Sequence, residues 1–426
     1  MTDRTRQPPT APLTDVRLDF PACQTLTCGM PLWVIDGGDQ QVCQLSVYVE
    51  GGTMHQQHSL QAALTAQMCL EGSAAYSTRD IAEMLDYHGA GKMSQCHDTM
   101  SQITLSTITE HYHKLLPVVS DSLARALLPE QELEVYKRQY ASSYATMRGR
   151  VAHRARVELR RLRYGDGHPL VEDVTPGDIM SLTPDDISRF YRRFYHPSNC
   201  RLVLAGRVND QMISATDRAF SQWLDPDDQR APQLSWQTNP SPQMLSVVDC
   251  PGAVQAAIAM AIDTIGRSHP DYLALRMLCT VLGGYSGSRL MTVVREQMGY
   301  TYGINAYLAG REHDGYVGVS TECDQRHVSQ VIDLVKHEMQ QLCDQLISDH
   351  ELSQVRQFML SDQAKTLDTP FSLASYVAST WLYGVYPDYY NQQIDTILHT
   401  TAVRLREVAQ RYFDLDRLRI VIAGDR

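Results

Sequence analysis

Fifteen histidines and ten cysteines are enough to build a metal or nucleophile site, so their spacing decides whether this chain has one. Two imidazoles on one helix face need an i, i+4 spacing, with a further ligand from elsewhere. His337-Glu338 in HEMQQ falls one ligand short, because Gln341 stands where a second histidine would complete H-E-x-x-H. An imidazole with a single carboxylate holds a metal weakly, and the stretch reads as a solvated helix face. His55 and His58 (HQQH) precede the apolar helix pattern rather than sit on it, which makes them loop residues. His111 and His113 (HYH) can share a strand face, where Glu110 and Lys114 mark a polar strand end. The cysteines (Cys23, Cys28, Cys43, Cys69, Cys96, Cys200, Cys250, Cys279, Cys323 and Cys343) include no C-x-x-C pair. They read as reduced, mostly buried, small apolar residues.

The elements that must position any site are written twice. TPDDISRFYRRFYHPSNCRLVLAGR (183–207) matches TAVRLREVAQRYFDLDRLRIVIAGDR (401–426) without a gap, at an offset of 218 residues. Each copy runs from a threonine N-cap through an amphipathic helix and a polar turn into an apolar strand ending in Ala-Gly. PEQELEVYK (129–137) and SDHELSQVR (348–356) repeat at nearly the same offset. VCQLSVYVE (42–50) alternates as a strand does, with Cys43, Leu45, Val47 and Val49 on one face, and VQAAIAMAI (254–262) is its counterpart opening the second half. A helix follows at SLQAALTAQMCLEG (59–72). This interleaving predicts an α+β protein of two homologous α/β repeats, each a sheet covered by helices on one face. Apolar periodicity stops in LDPDDQRAPQLSWQTNPSPQ (224–243), which places a linker there and the repeats at 1–228 and 229–426.

Composition narrows the function classes. With a net charge of −11 and no Lys/Arg cluster dense enough to neutralise a run of phosphates, nucleic acid is not an expected partner. No stretch approaches the roughly 18 continuous apolar residues of a membrane span. The opening MTDRTRQPPTAPLTDVRLDF has no apolar core of signal-peptide length, so a cytoplasmic location is expected.

Two segments carry a resemblance that covers nearly the whole chain. LCTVLGGYSGSRLMTVVREQMGYTYGI (278–304) looks like the most recognisable part of the second half in the insulinase and mitochondrial-processing-peptidase family, and FYRRFYHPSNCRLVLAGRV (190–208) looks like the end of its first half. The resemblance implies an insulinase-like peptidase fold. In active members a first-half helix carries H-x-x-E-H, two zinc-binding histidines and a glutamate that activates water. SLQAALTAQMCLEGS aligns with that helix and places Ala63 and Gln67 at the histidine positions and Ala66 at the general-base position. The remaining zinc-binding glutamate falls at Ser142 or Ser143, and a substrate-contacting edge strand falls near Met93 and Ser94. Without imidazole, carboxylate or base, this helix is expected to bind no zinc.

The second half keeps what the first has lost. Active assemblies of this family use an arginine and a tyrosine seven residues apart, and Arg295 and Tyr302 have that spacing in REQMGYTY. A helix through MTVVREQM can end at Gly299, after which YTYG runs as a strand, so the pair flanks a tight corner. From there a guanidinium and a phenol can both donate to the oxygen of one peptide carbonyl. The plainer alternative is a surface ion pair of Arg295 with Glu296 or Glu312 and a half-buried Tyr302. Gly283, Gly284 and Gly287 read either as close backbone approach to a substrate or partner, or as a simple turn. The resemblance therefore implies a subunit with no metal or other cofactor of its own. Arg295 and Tyr302 would serve a homologous H-x-x-E-H partner that holds the zinc, and extended peptides would be the substrates. When that partner is absent the chain would stand as a homodimer or as a monomer, and a purely structural core-protein-like subunit is the alternative reading.

Overall fold

The structure is a computed structural model, which describes residue 13 and residues 16–223, 236–312 and 314–425. The expected junction at 228/229 and most of the 224–243 linker lie outside the described residues.

Apolar alternation forms two sheets. The first contains β1 (Cys23–Thr25), β2 (Pro31–Asp36), β3 (Val42–Val49), β4 (Gly91–Cys96), β5 (Ser101–Ile108) and β6 (Cys200–Gly206), in the order β1-β2-β6-β3-β5-β4. The second contains β7 (Leu245–Asp249), β8 (Ala256–Ile265), β9 (Thr301–Gly310), β10 (Asp314–Cys323) and β11 (Arg419–Gly424), in the order β7-β11-β8-β10-β9. Leaving β1 aside, the two orders are the same. In each sheet the strand ending in Ala-Gly runs parallel to one neighbour (β2 or β7) and antiparallel to the other (β3 or β8). Thr183 and Thr401 both cap the helix that precedes this strand, accepting from the backbone N–H of Asp186 and Arg404 respectively.

The second half differs in detail from its sequence reading. The predicted strand at 254–262 begins instead at Ala256, with Val254 exposed beyond it, because Gly252 turns the chain in a left-handed conformation just before. It is also not the opening strand, since β7 precedes it as the counterpart of β2.

Both faces of each sheet are covered. In β3, Cys43, Leu45, Val47 and Val49 point into the first core, and in β8, Ile258, Met260 and Ile262 point into the second. The opposite face of each sheet receives a helix from the other repeat. Ala155, Leu159 and Leu162 of helix Val151–Tyr164 pack on Ala257, Ala259 and Ala261 of β8 and on Val421 and Ala423 of β11. Reciprocally, Ala374, Val377 and Ala378 of helix Pro370–Leu382 pack on Ile35, Tyr48, Val203 and Ala205. The alanine row lets the visiting backbone approach closely, and each buried apolar side chain contributes about 1.5–3 kcal/mol less its ordering cost.

The two exchanges are pinned differently. Trp381 packs at a tilt against Trp33 (ring centroids 4.5 Å apart) and meets Tyr48 edge-on (5.5 Å). Helix Val151–Tyr164 uses Arg163 instead, which is 4% exposed and lies 3.7 Å over the Tyr316 ring while donating to Asp263 at 2.7 Å. Arg419 donates to the other Asp263 oxygen at 2.5 Å. Replacing Arg163 by alanine removes the stack and half of the counter-charge on Asp263, which should cost about 3 kcal/mol in chemical denaturation. Arg163→Lys should recover less than half of that, because an ammonium cannot lie flat on Tyr316. A loss below about 1 kcal/mol for the alanine variant would mean that the alanine face alone holds the helix.

Candidate functional site

The positions that align with the zinc motif lie on helix Gln61–Met68, which is mostly buried. Ala66 is 1% exposed, and Ala63 and Gln67 are partly exposed. The Gln67 side-chain oxygen accepts from Ser94 Oγ at 2.6 Å, tying the helix to β4, which is the edge strand expected at Met93 and Ser94. Across from Ala63, helix Glu130–Arg148 presents Tyr136, Tyr140 and Tyr144 to the same apolar cluster. Ser143 is exposed on that helix, outside this cluster. Tyr136 donates to Glu71 at 2.5 Å, and Lys92 pairs with the same carboxylate oxygen at 2.6 Å. Burial, reinforced by the Glu71 carboxylate, pushes the Tyr136 phenol above its usual range. Two methyl groups, a hydrogen-bonded amide and an exposed hydroxyl do not fit zinc, whose structural sites take four N, S or O ligands.

The histidines do not replace them. The His55 Nδ1 accepts from the Gly52 N–H at 3.3 Å and its ring meets Phe194 edge-on, whereas His58 faces Asp186 at 3.6 Å. Burial, helped by the Arg193 charge, lowers His55 to about 4. The HYH segment is not a strand end. β5 stops at Ile108, so His111 lies in a single helical turn and His113 in the following helix Tyr112–Ala124. At i, i+2 on a helix their side chains diverge. Glu338 of HEMQQ is turned toward Arg289, 3.8 Å away, while His337 is exposed. Among the described residues no group of three or more His, Cys, Asp or Glu side chains could hold a metal ion.

The corner in the second repeat forms as its sequence predicts. Met291–Gln297 is wound as a wide π-type helix, and Gly299 ends it at φ +66. The Gly299 N–H donates to the Arg295 carbonyl at 3.1 Å and the Tyr300 N–H to the Val294 carbonyl at 3.0 Å, closing the turn before β9. Val294 is fully buried and Tyr300 stacks on His327 at 4.2 Å, so these two residues hold the corner in place. Tyr302 is 90% exposed. Arg295 is also exposed, and its side chain makes no hydrogen bond or ion pair among the described residues, so the alternative pairing with Glu296 or Glu312 does not form. Gly283 is buried, and an added Cβ would sit 2.5 Å from the Ala306 backbone nitrogen, so its close approach is to the chain's own β9. Gly284 and Gly287 are exposed in the loop that follows.

Tyr302 also lines a cavity of about 480 Å³ between helix Val151–Tyr164 and strands β8–β10. Its arginines escaped the sequence reading, although residues 148–163 contain seven of them. Read by helical face rather than by density, Arg156, Arg160 and Arg163 form one stripe at i, i+4 and i+7. After dialysis against a weak chelator, elemental analysis should find no stoichiometric zinc on the purified chain, and the chain alone should cleave no unstructured peptide. A full zinc equivalent would reveal ligands outside Ala63, Ala66, Gln67 and Ser143.

Comparison with known proteins agrees with this geometry. Residues 181–359 match the family described as "Peptidase M16 inactive domain". An uncharacterized zinc protease of Streptomyces coelicolor is 24% identical over 78% of this chain and 70% of its own length. A non-peptidase homolog, YmxG, of Helicobacter pylori is 18% identical over 88% and 87%. The crystal structure of a peptidase M16 inactive domain from Pseudomonas fluorescens superimposes with a TM-score of 0.84 at 19% identity, covering 96% of this chain and 99% of that one. Residues 181–359 thus match the peptidase M16 (insulinase-type) family, and the duplicated sheets give the whole chain the fold of these relatives, with a motif helix that lacks zinc ligands.

Proposed function

We propose that this chain is the zinc-free subunit of a heterodimeric, cytoplasmic M16 metallopeptidase, and that it supplies Arg295 and Tyr302 to a homologous partner bearing H-x-x-E-H and the zinc. The observation that carries the reading is the corner itself. A guanidinium and a phenol are held on either side of a tight turn, both solvent-facing, with no internal hydrogen bond or ion pair to the Arg295 side chain among the described residues. Their donors suit a peptide carbonyl oxygen, on which negative charge grows as water adds, and such donors act mainly in the transition state. Extended peptides would reach the site by pairing with an edge strand, β4 or β9, whose outer side pairs with no other strand among the described residues.

A second reading, an assembly subunit with no catalytic part, is favoured by the name of the Helicobacter pylori relative, a non-peptidase homolog. Substitution separates the two. In the complex with the H-x-x-E-H homologue, Arg295→Ala and Tyr302→Phe should each lower peptidase kcat/KM by roughly 10²–10³ with circular dichroism and co-elution unchanged. Ala63→Ser should have almost no effect. Normal assembly and full kcat/KM for Arg295→Ala would replace the catalytic reading with the assembly one.

A further inference from the structure

The cavity beside Tyr302 carries a charge opposite to that of the whole chain. The net charge is −11, yet this lining holds Arg156, Arg160 and Arg163 against the single carboxylate of Glu322. Arg163 is occupied by Asp263 and the Tyr316 ring. The other two guanidiniums have only neutral hydrogen-bond acceptors. Arg156 donates to His153 Nδ1 at 3.2 Å, and Arg160 to the Leu170 carbonyl at 3.3 Å. Among the described residues neither has a carboxylate at ion-pair distance. Glu172 is coupled to both through space, and its burial raises its pKa. Arg161, next in the chain, shows the contrast, since it pairs with Glu158, Asp166 and Asp173.

The rest of the lining leaves room for a guest. Its floor includes Ala152, Ala155, Ala257 and Ala259, which leave the volume in front of the arginines unfilled. At Gly303 on β9 an added Cβ would meet nothing within 4 Å. Strand β9 is the sheet edge, and Tyr307, two turns of the pleat beyond Gly303, also lines the cavity. A chain laid along β9 would therefore send one side chain toward two unpaired guanidiniums as it passes Tyr302.

We infer that this cavity is a specificity pocket that takes the carboxylate side chain, aspartate or glutamate, of an extended peptide. An about 480 Å³ space suits one acidic side chain with its hydration. Guanidinium is the donor that matches a carboxylate in two-pronged geometry. The inference rests on the proposal that the Tyr302 face meets peptide, but its test needs neither the partner nor Arg295. Short unstructured peptides with amidated C-termini, carrying glutamate, glutamine or lysine at one position, are titrated onto the full chain by fluorescence anisotropy. The glutamate peptide should bind roughly tenfold tighter than its glutamine isostere, with lysine weakest. In Arg156→Gln/Arg160→Gln that ratio should fall to about one while glutamine-peptide binding stays as it was. Gly303→Leu, which plugs the space without touching charge, should weaken the glutamate peptide as well. Equal binding of glutamate and glutamine peptides to the unaltered chain, or no binding of any peptide, would overturn the inference. A glutamate preference that persists when Arg295→Ala leaves the complex's rate intact would keep the pocket and remove only the catalytic role.

Discussion

Each sheet in this protein has two apolar faces, and each repeat supplies helices of its own for only one of them. That constraint shapes the molecule. The row of Ala257, Ala259 and Ala261 would face water if the second repeat stood alone, and Ala205, Val203 and Ile35 would do the same in the first. Exchange of helices Val151–Tyr164 and Pro370–Leu382, which lie 219 residues apart at their first residues, solves both problems at once. The repeats are therefore similar in architecture yet not separable in energy, since each completes the other's core. The same exchange brings first-repeat arginines against second-repeat strands, so the cavity beside Tyr302 exists only because of it.

Much of the fold was legible because its signals are local. Period-two alternation marks β3 and β8, and the capped helix leading to an Ala-Gly strand recurs at a fixed offset. Those signals say that a face is buried. They do not say against what, which is why one covering layer per sheet was expected and two are present. Helix Val151–Tyr164 shows the difficulty, since its apolar stripe would look the same packed on either sheet. The short strand β7, mostly exposed at the sheet edge, offers almost no alternation to read. HYH reads as a polar strand end because Glu110 and Lys114 flank it, yet a two-residue spacing cannot distinguish the last residues of a strand from the first turn of a helix, and here the helix begins.

At the site, what is absent could be read more easily than what replaces it. A motif helix without histidine or glutamate is visible in one line of sequence. The tyrosines that occupy the facing side are visible only once the 3.6-residue period of Glu130–Arg148 is drawn, which puts Leu133, Tyr136, Tyr140 and Tyr144 on one stripe with Ser143 at its margin, where the structure leaves it exposed. The arginines were missed for a related reason. Counted by density they are too few for a nucleic acid, and several are neutralised locally, as Arg148 and Arg161 are by Asp173. Only the partners, read together with the helical face, set Arg156 and Arg160 apart as neighbours on one stripe with no carboxylate at ion-pair distance among the described residues.

The two ends of the expected chemistry have met opposite fates for one physical reason. A zinc site needs polar ligands in a half-buried setting, and without the metal such ligands would be partly desolvated groups in want of partners. Helix Gln61–Met68 carries none of those groups, Ala66 is packed, and the nearby Glu71 is balanced by Lys92 and Tyr136, so the polar groups around the helix are satisfied by the chain's own contacts. At the Gly299 corner no such pressure exists. Val294, the Gly299 turn and the Tyr300–His327 stack hold the backbone, while the side chains of Arg295 and Tyr302 lie in solvent. Folding would be served about as well by many other residues at those two positions, since an exposed side chain outside caps and cores typically changes stability by less than about 0.5 kcal/mol. Packing therefore does not account for the presence of an unpaired guanidinium and an exposed phenol on either side of so rigid a turn. The peptide oxygen proposed above as their ligand would account for them, and the corner's rigidity would let both donors meet it at little further ordering cost.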